Sequence, residues 1–216
     1  MKDLFVFKIF KLAVLYCVLV VTCCYGRLAL AEPSEVQVSD NAINNAVEMT
    51  GRWNQGPVYA SVTSGNYLYF GSSGTVRGVA VEKDGAGNAI AWEEVASIQT
   101  DGVVRDMIIR DHYLYIADGS GWLRLVNVKN PSKPKLSGAL ELDSEIKAIH
   151  FEGGRVYIAA GWDGIHVIDV SKPNKPELIN SAPSKGYSLD VVVKDSIAYV
   201  AAGHDAGLQI FNGFSE

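Results

Sequence analysis

The chain has 216 residues, of which 48% are hydrophobic and 20% are charged, and its net charge is −5. This composition is that of a globular chain with a core. The acidic balance argues against nucleic acid or an anionic lipid surface as the main partner, and no Lys/Arg stripe contradicts that.

The first 31 residues have the pattern of a secretory signal. Lys2, Lys8 and Lys11 precede a charge-free run from Leu12 to Tyr25, and residues 29–31 form an A-x-A cleavage site. The run is shorter than the roughly 20 apolar residues that span a bilayer. We therefore predict cleavage after residue 31 and export to the periplasm, cell surface or extracellular space, without an integral membrane domain. An uncleaved anchor is the alternative.

Cleavage would change both the cysteine content and the charge. All three cysteines, Cys17, Cys23 and Cys24, lie in the predicted signal, so the remaining chain has none for a disulfide. That chain keeps 15 basic and 23 acidic residues, a net charge of −8. We expect residues 32–44 to form a linker, followed by one domain that is stabilised by burial alone.

A Tyr-(Ile/Val)-Ala motif recurs along the chain. It occurs at residues 115–117, 157–159 and 199–201, spaced by 42 residues, with a degenerate copy at 69–71. A pair of turn-forming residues lies three and four positions before each Tyr, between two runs rich in Val, Ile and Tyr. Each pair predicts a two-residue β-hairpin. The turn pairs are Gly65-Asn66, Asp111-His112, Gly153-Gly154 and Asp195-Ser196.

Two further strands follow each hairpin. The third follows a glycine-bearing loop, as in residues 123–128 and 165–170, where apolar and polar residues alternate. A proline-rich link at 131–134 and 173–176 separates it from a fourth run. No amphipathic helix is predicted after residue 31.

Four antiparallel strands per unit of about 40 to 45 residues predict an all-β fold of β-propeller blades. The predicted blades are 56–100, 101–142, 143–184 and 185–212, with residues 213–216 as a tail. The last blade lacks its fourth strand, and residues 45–54 form a surplus strand. That strand either closes a four-bladed ring, leaving no free sheet edge, or the chain is a shortened relative of a larger propeller.

The segment GWDGIHVIDVSKPNKP at 161–176, preceded by a Tyr-Ile-Ala strand, resembles the LVIVD repeat family. The resemblance covers residues 57–212 and is strongest over 101–184. It is weakest in the first unit, where residues 83–88 replace the proline-rich link. Members of this family look like secreted or cell-surface β-propellers, so the resemblance implies a fold and no particular reaction.

The loops after the second strands should emerge on one rim of the propeller. Trp122 and Trp162 lie in these loops and suggest an anchoring surface. Asp163 and Asp205 recur beside an aromatic or imidazole ring, Trp162 and His204 respectively. Turn aspartates usually cap the backbone, but two carboxylates on one rim are also suited to Ca²⁺.

The first strand of each blade should line the central channel. Nine residues before two of the anchor tyrosines stand Asp106 and Asp190, which would face each other across a four-bladed ring. Arg105 and Lys147 flank this layer and are expected to pair with them. Structural ion pairing and an ion or ligand held between the two carboxylates are both open.

We therefore expect an exported, non-catalytic binding module that engages a protein or glycan of the cell envelope through one rim. One alternative is a metal-assisted lyase or hydrolase that uses the channel acids, although no acid, base and nucleophile set is visible. The other is a purely structural surface protein. The sequence assigns no cofactor and leaves the oligomeric state open.

Overall fold

Fifteen strands form four antiparallel sheets in the computed structural model of the protein, in which residues 52–203 and 206–214 are described. Within these ranges the regular structure is entirely β, as predicted, and no helix long and apolar enough to cross a membrane occurs there. The predicted signal and linker at residues 1–44 lie outside the described ranges.

Each sheet is a meander in which strands adjacent in sequence are hydrogen-bonded neighbours. The first sheet contains β1 (Val58–Ser64), β2 (Tyr67–Ser72), β3 (Thr75–Lys83) and β4 (Ala89–Gln99). The second contains β5 (Val104–Arg110), β6 (Tyr113–Asp118), β7 (Trp122–Asn127) and β8 (Lys135–Glu141). The third contains β9 (Ala148–Glu152), β10 (Arg155–Ala159), β11 (Ile165–Asp169) and β12 (Glu177–Ala182). The fourth contains β13 (Ser188–Lys194), β14 (Ile197–Ala202) and β15 (Gly207–Phe211).

The predicted hairpins have the backbone that two-residue turns require. In three of the four turns both central residues have positive φ, for example 48° at Asp111 and 66° at His112. This conformation matches the twist of the flanking strands. Asp and Asn tolerate positive φ best among side-chain-bearing residues and glycine adopts it freely, so the turn pairs in the sequence select these hairpins.

Consecutive sheets pack face to face around three apolar clusters. The anchor tyrosines Tyr69, Tyr115 and Tyr157 each lie in the cluster between their own sheet and the next, and each is at most 3% exposed. The faces alternate along every strand because successive side chains of a strand point to opposite sides. The propeller-type stacking of four sheets is therefore confirmed.

The end of the described chain belongs to the core. Phe214, which the prediction assigned to a tail, is 6% exposed and lies in the cluster between the third and fourth sheets. Its ring meets Tyr157 edge to face at a centroid distance of 5.8 Å, and Arg155 donates a hydrogen bond to its carbonyl. In the other two clusters a residue just after the third strand of a sheet is also buried: Val128 after β7 and Val170 after β11. Phe214, shortly after β15, is the corresponding residue of the fourth sheet.

We expect Phe214→Ala to lower the free energy of unfolding by about 3 kcal/mol, the low end of the range for a buried phenylalanine, because it removes a buried ring and leaves a cavity beside Tyr157. Urea denaturation measures the change. Leu136→Ala, at a leucine that is 61% exposed, is the control and should stay within about 0.5 kcal/mol of the parent. Equal effects of the two substitutions would contradict the packing of Phe214.

The surplus strand predicted at 45–54 is described only at its end. Residues 52–54 form no strand, and residues 45–51 lie outside the described ranges. Trp53 packs on the first sheet, with its ring 5.1 Å from that of Phe70 and its Nε1 donating to Ser72 Oγ at 3.2 Å. None of the apolar clusters of the described residues joins the fourth sheet to the first. Closure of the ring by the surplus strand therefore stays a prediction.

Candidate functional site

Four side chains occupy equivalent repeat positions at or just before the start of the first strand of each sheet. Ten residues before each anchor tyrosine stand Tyr59, Arg105, Lys147 and Leu189. The register shifts at this position in β1, β5 and β13, which leaves Tyr59, Arg105 and Leu189 without a paired residue. A bulge of this kind redirects a side chain, and these three are exposed.

Both cations of this row lie over aromatic rings. The guanidinium carbon of Arg105 is 5.5 Å from the centroid of the Tyr59 ring, and Lys147 Nζ is 5.0 Å from that of Tyr187. Cation–π contacts of this length are attractive. The expected pairing of these cations with Asp106 and Asp190 is not found among the described ion pairs, where Lys147 Nζ instead contacts Glu145 Oε2 at 2.9 Å.

Trp162 extends this arrangement onto the rim. Its ring is 64% exposed and meets Tyr187 edge to face at 5.2 Å. Tyr187 in turn donates a hydrogen bond to Glu145. We call Trp162, Tyr187, Lys147 and Glu145 the rim cluster. Glu145 and Lys147 lie in the segment between β8 and β9, Trp162 in the loop between β10 and β11, and Tyr187 just before β13. The packing of consecutive sheets therefore brings together segments from three places in the chain.

The charges of the rim cluster stabilise one another. Hydrogen bonds from Tyr187 and Lys147 lower the pKa of Glu145, and Arg105 adds a smaller favourable interaction. Hydrogen bonding with Tyr187, and then with Glu145, raises the pKa of Lys147. Both groups are therefore charged at neutral pH, and the aromatic rings stand between fixed charges of opposite sign.

A cavity of about 420 Å³ opens beside the rim cluster, between the second and third sheets. Its lining includes Asp163 and His166, and the ring nitrogens of His166 are hydrogen-bonded to Ser144 Oγ at 3.1 Å and Ser181 Oγ at 2.9 Å. Burial lowers the pKa of His166, against a raising effect of Asp163. The remaining lining residues are Glu141, Leu142, Asp143, Ser144 and Leu178.

Trp122, the other predicted anchor, lies in a different setting. It begins β7, is half-buried, and stacks with Arg124, whose guanidinium carbon is 5.0 Å from the ring centroid. Arg124 is held by Asp101 and by the buried Asp118. Trp122 is therefore packed against a polar network of its own sheet, whereas Trp162 projects from the rim.

The two channel aspartates are bound differently. Asp106 accepts hydrogen bonds from the backbone N–H groups of Met107 at 2.7 Å and Ile149 at 2.9 Å, the second in the next sheet. Asp190 accepts the local bond from Val191 at 2.8 Å. Burial raises the pKa of Asp106, the two amides lower it, and the charge of Asp190 adds to the increase.

We expect Asp106→Asn to destabilise the protein by about 1 to 2 kcal/mol. Each carboxylate oxygen of Asp106 accepts one backbone N–H, and an amide offers one acceptor oxygen, so one buried N–H loses its partner. Asp163→Asn, at an exposed aspartate, is the control and should change the free energy of unfolding by less than about 0.5 kcal/mol. Urea denaturation compares the two, and an unchanged Asp106→Asn variant would refute the bridging role.

The predicted cation sites are only partly described. His204 and Asp205 lie outside the described ranges, so their pairing with Asp163 on the rim stays a prediction. Among residues 52–203 and 206–214, no group of three or more His, Cys, Asp or Glu side chains is arranged to hold a metal ion. Asp106 and Asp190 are only two carboxylates, and Asp106 already accepts two backbone amides.

Sequence reasoning identified Trp162, Arg105 and Lys147 but missed Tyr59, Glu145 and Tyr187. Alignment of the repeats on the anchor tyrosine contains one signal for Tyr59, since it occupies the position of Arg105 and Lys147. Glu145 and Tyr187 stand 42 residues apart, one repeat length, and nothing in either local pattern marks them as partners. Their contact depends on the packing of adjacent sheets.

Comparison with known proteins supports the repeat and the fold. The LVIVD repeat profile matches residues 101–141 and 147–182, which correspond to the second and third sheets. A comparison with curated proteins gave no match.

Two computationally designed proteins are among the solved structures that are similar to this chain. The computationally designed Ika4 protein superimposes with a TM-score of 0.60 at 16% identity, over 74% of this chain and 93% of its own. The designed Ika8 protein superimposes with a TM-score of 0.59 at 16% identity. The match covers 74% of this chain and 46% of the Ika8 chain. At this identity the likeness concerns the fold alone. The chain therefore contains two LVIVD repeats, at residues 101–141 and 147–182, within a fold of stacked antiparallel sheets of the β-propeller type.

Proposed function

We propose that this protein is an exported, non-catalytic binding module that engages a protein or glycan of the cell envelope through the rim cluster. The observation that carries the proposal is Trp162, whose largely exposed ring is held edge to face on Tyr187. Large aromatic side chains that are fixed before binding lose little conformational entropy and are the commonest anchors of interfaces.

The surroundings of Trp162 support this role. Lys147 and Glu145 fix Tyr187 from one side, and Arg105 lies over the exposed ring of Tyr59 farther along the inner strands. Aromatic faces stack on sugar rings or peptide side chains, and the flanking charges supply directional hydrogen bonds. The cavity lined by Asp163 and His166 adds a concave element beside the ring. The envelope location is proposed from the signal pattern of residues 1–31.

Affinity capture from cell-envelope extract tests the proposal. The parent protein should retain a specific partner, and Trp162→Ala should lose it. Trp122→Ala, which removes a ring of the same size that is packed on Arg124, is the matched control and should still retain the partner. Protease and glycosidase treatment of the captured material then distinguishes a protein from a glycan.

Capture that is unchanged in the Trp162→Ala variant would refute the role of the rim cluster. Equal loss in both tryptophan variants would place the binding surface elsewhere on the rim. Circular dichroism of each variant confirms that the sheets are intact.

A further inference from the structure

The three contacts between consecutive sheets repeat one pattern. We call the face of a sheet that packs on the following sheet its forward face, and the opposite one its backward face. On the third sheet the forward face carries Tyr157, Ala159, Ile165 and Val167, each at most 2% exposed. The backward face of the fourth sheet meets it with Val191, Val193, Ala198 and Val200.

The forward face of the fourth sheet carries the same kinds of residue at the same positions, but they are exposed. Tyr199 and Ala201 correspond to Tyr157 and Ala159. Val192, Tyr199 and Ile210 form one cross-strand row, and Ala201 pairs with Leu208. The exposed fractions are 50% for Val192, 37% for Tyr199, 58% for Ile210 and 66% for Leu208. Contiguous apolar surfaces of this kind usually mark an interaction site.

The backward face of the first sheet carries the residue types that elsewhere meet the preceding sheet, and two of them, Phe70 and Val79, are only 6% and 1% exposed in the single chain. Leu68, Phe70, Val79 and Val81 occupy the positions that Leu114, Ile116, Val126 and Val128 hold in the cluster between the first and second sheets. No apolar cluster of the described residues includes this face. Trp53 covers Phe70, and a cavity of about 460 Å³ remains beside it, lined by Leu68, Val79, Val81 and Trp92.

A hydrogen bond joins the second and third sheets, and the fourth sheet carries the equivalent of its acceptor. Asp106, beside the forward face of the second sheet, accepts the N–H of Ile149 in the third. Asp190 occupies the equivalent position on the fourth sheet and accepts the same local bond. Ser61 of the first sheet occupies the position of Ile149. Asp190 and the Ser61 N–H are therefore matched partners, as Asp106 and Ile149 are.

We infer that the forward face of the fourth sheet binds the backward face of the first sheet of a second copy of this chain. Within the described residues these two faces do not form a cluster with each other. The contact joins two different faces, one from each copy, so the two chains associate head to tail. A twofold axis then relates two identical contacts, which together close a ring of two copies. Two copies give eight sheets, within the range of known propellers of about four to eight blades, whereas three copies exceed it.

The mass of the purified protein in solution tests this inference. Sedimentation equilibrium should give twice the chain mass for the parent. Tyr199→Lys places a charge at the centre of the contact and should raise the dimer dissociation constant by about thirtyfold or more, as expected for loss of an interface hot spot. Leu136→Lys, at a leucine that is 61% exposed on β8, is the matched control and should leave the dimer intact. A parent of single-chain mass, which a self-closed ring would give, overturns the inference.

A disulfide trap tests the head-to-tail geometry even if Tyr199→Lys folds poorly. In a background with Cys17, Cys23 and Cys24 replaced by serine, a mixture of the Ser61→Cys and Asp190→Cys variants should form a covalent dimer under oxidation, and neither variant alone should do so. Crosslinking of either variant alone would indicate a face-to-face dimer and refute the inference. The absence of a crosslink in the mixture would also refute it, since this pair is equivalent to Asp106 and Ile149, which lie within hydrogen-bonding reach.

Discussion

The Gly164→Ala variant should be less stable than the parent by about 2 to 5 kcal/mol. Gly164 has a φ of +84°, a conformation that costs a side-chain-bearing residue about 1 to 2 kcal/mol. An added Cβ would also lie 2.6 Å from Ser184 N and 2.8 Å from Pro183 Cα. These are backbone atoms of the segment between β12 and β13, so the chain itself must move, at a further cost of about 1 to 3 kcal/mol.

Gly153→Ala separates the two contributions. Gly153 has a φ of +61° in a hairpin turn, and an added Cβ there meets nothing within 4 Å. This control should therefore lose only the conformational cost of about 1 to 2 kcal/mol. Urea denaturation of both variants measures the difference. If the two glycines gave equal losses, the close approach of Gly164 to the segment after β12 would be wrong.

The same glycine connects stability to the proposed function. The segment that an added Cβ at Gly164 would displace leads directly to Tyr187, on which Trp162 packs. Displacing it should disturb the rim cluster before the sheets unfold. Partner capture by Gly164→Ala should therefore fall below that of Gly153→Ala under conditions where both variants are folded.

Ile158→Ala is expected to cost about 2 to 5 kcal/mol of stability, the range for truncating a buried isoleucine. Ile158 is fully buried in β10 and belongs to the cluster between the second and third sheets, with Tyr115, Leu125 and Ile149. The cavity would open on the contact that joins these sheets. Ile158→Val, which removes one methyl group, should cost about 0.5 to 1.5 kcal/mol.

Ile179→Ala is the control for this series, because Ile179 is 47% exposed on β12. Its effect should stay within about 0.5 kcal/mol. Denaturant midpoints of the three variants give the order, provided the slopes match that of the parent. A loss for Ile158→Ala no larger than that for Ile179→Ala would contradict the assignment of this cluster as a core.

The location of the strands and turns could be predicted from the sequence because both depend on short-range pattern. Alternating apolar residues in 123–128 and 165–170 became β7 and β11, and pairs such as Asp111-His112 adopted positive φ. Boundaries moved by one or two residues, as at β9, which begins at Ala148 although Ile146 is also buried. The proline-rich links stand between strands, since proline cannot donate to a ladder.

The candidate site was only partly predictable. Trp162, Arg105 and Lys147 stood out by residue type and repeat position, but their partners did not. Lys147 forms its ion pair with Glu145, two residues before it, and the described ion pairs include none between Lys147 or Arg105 and the channel aspartates. The segment after β15, predicted as a tail, likewise supplied Phe214 to the core, where its ring contacts Tyr157.

The sequence by itself determined the repeat length, the strand order within each sheet, the hairpin turns and the buried face of each strand, because these follow from the alternation of side chains and from local backbone preferences. Only the tertiary structure decided that the bulges expose Tyr59, Arg105 and Leu189 and that Tyr187 joins Glu145 and Trp162. It also decided that the outer faces of the first and fourth sheets stay unpaired with each other in the described chain. These features depend on how whole sheets stack. Stacking brings together residues that are a full repeat apart in the sequence, and the local sequence around each of them does not predict the contact.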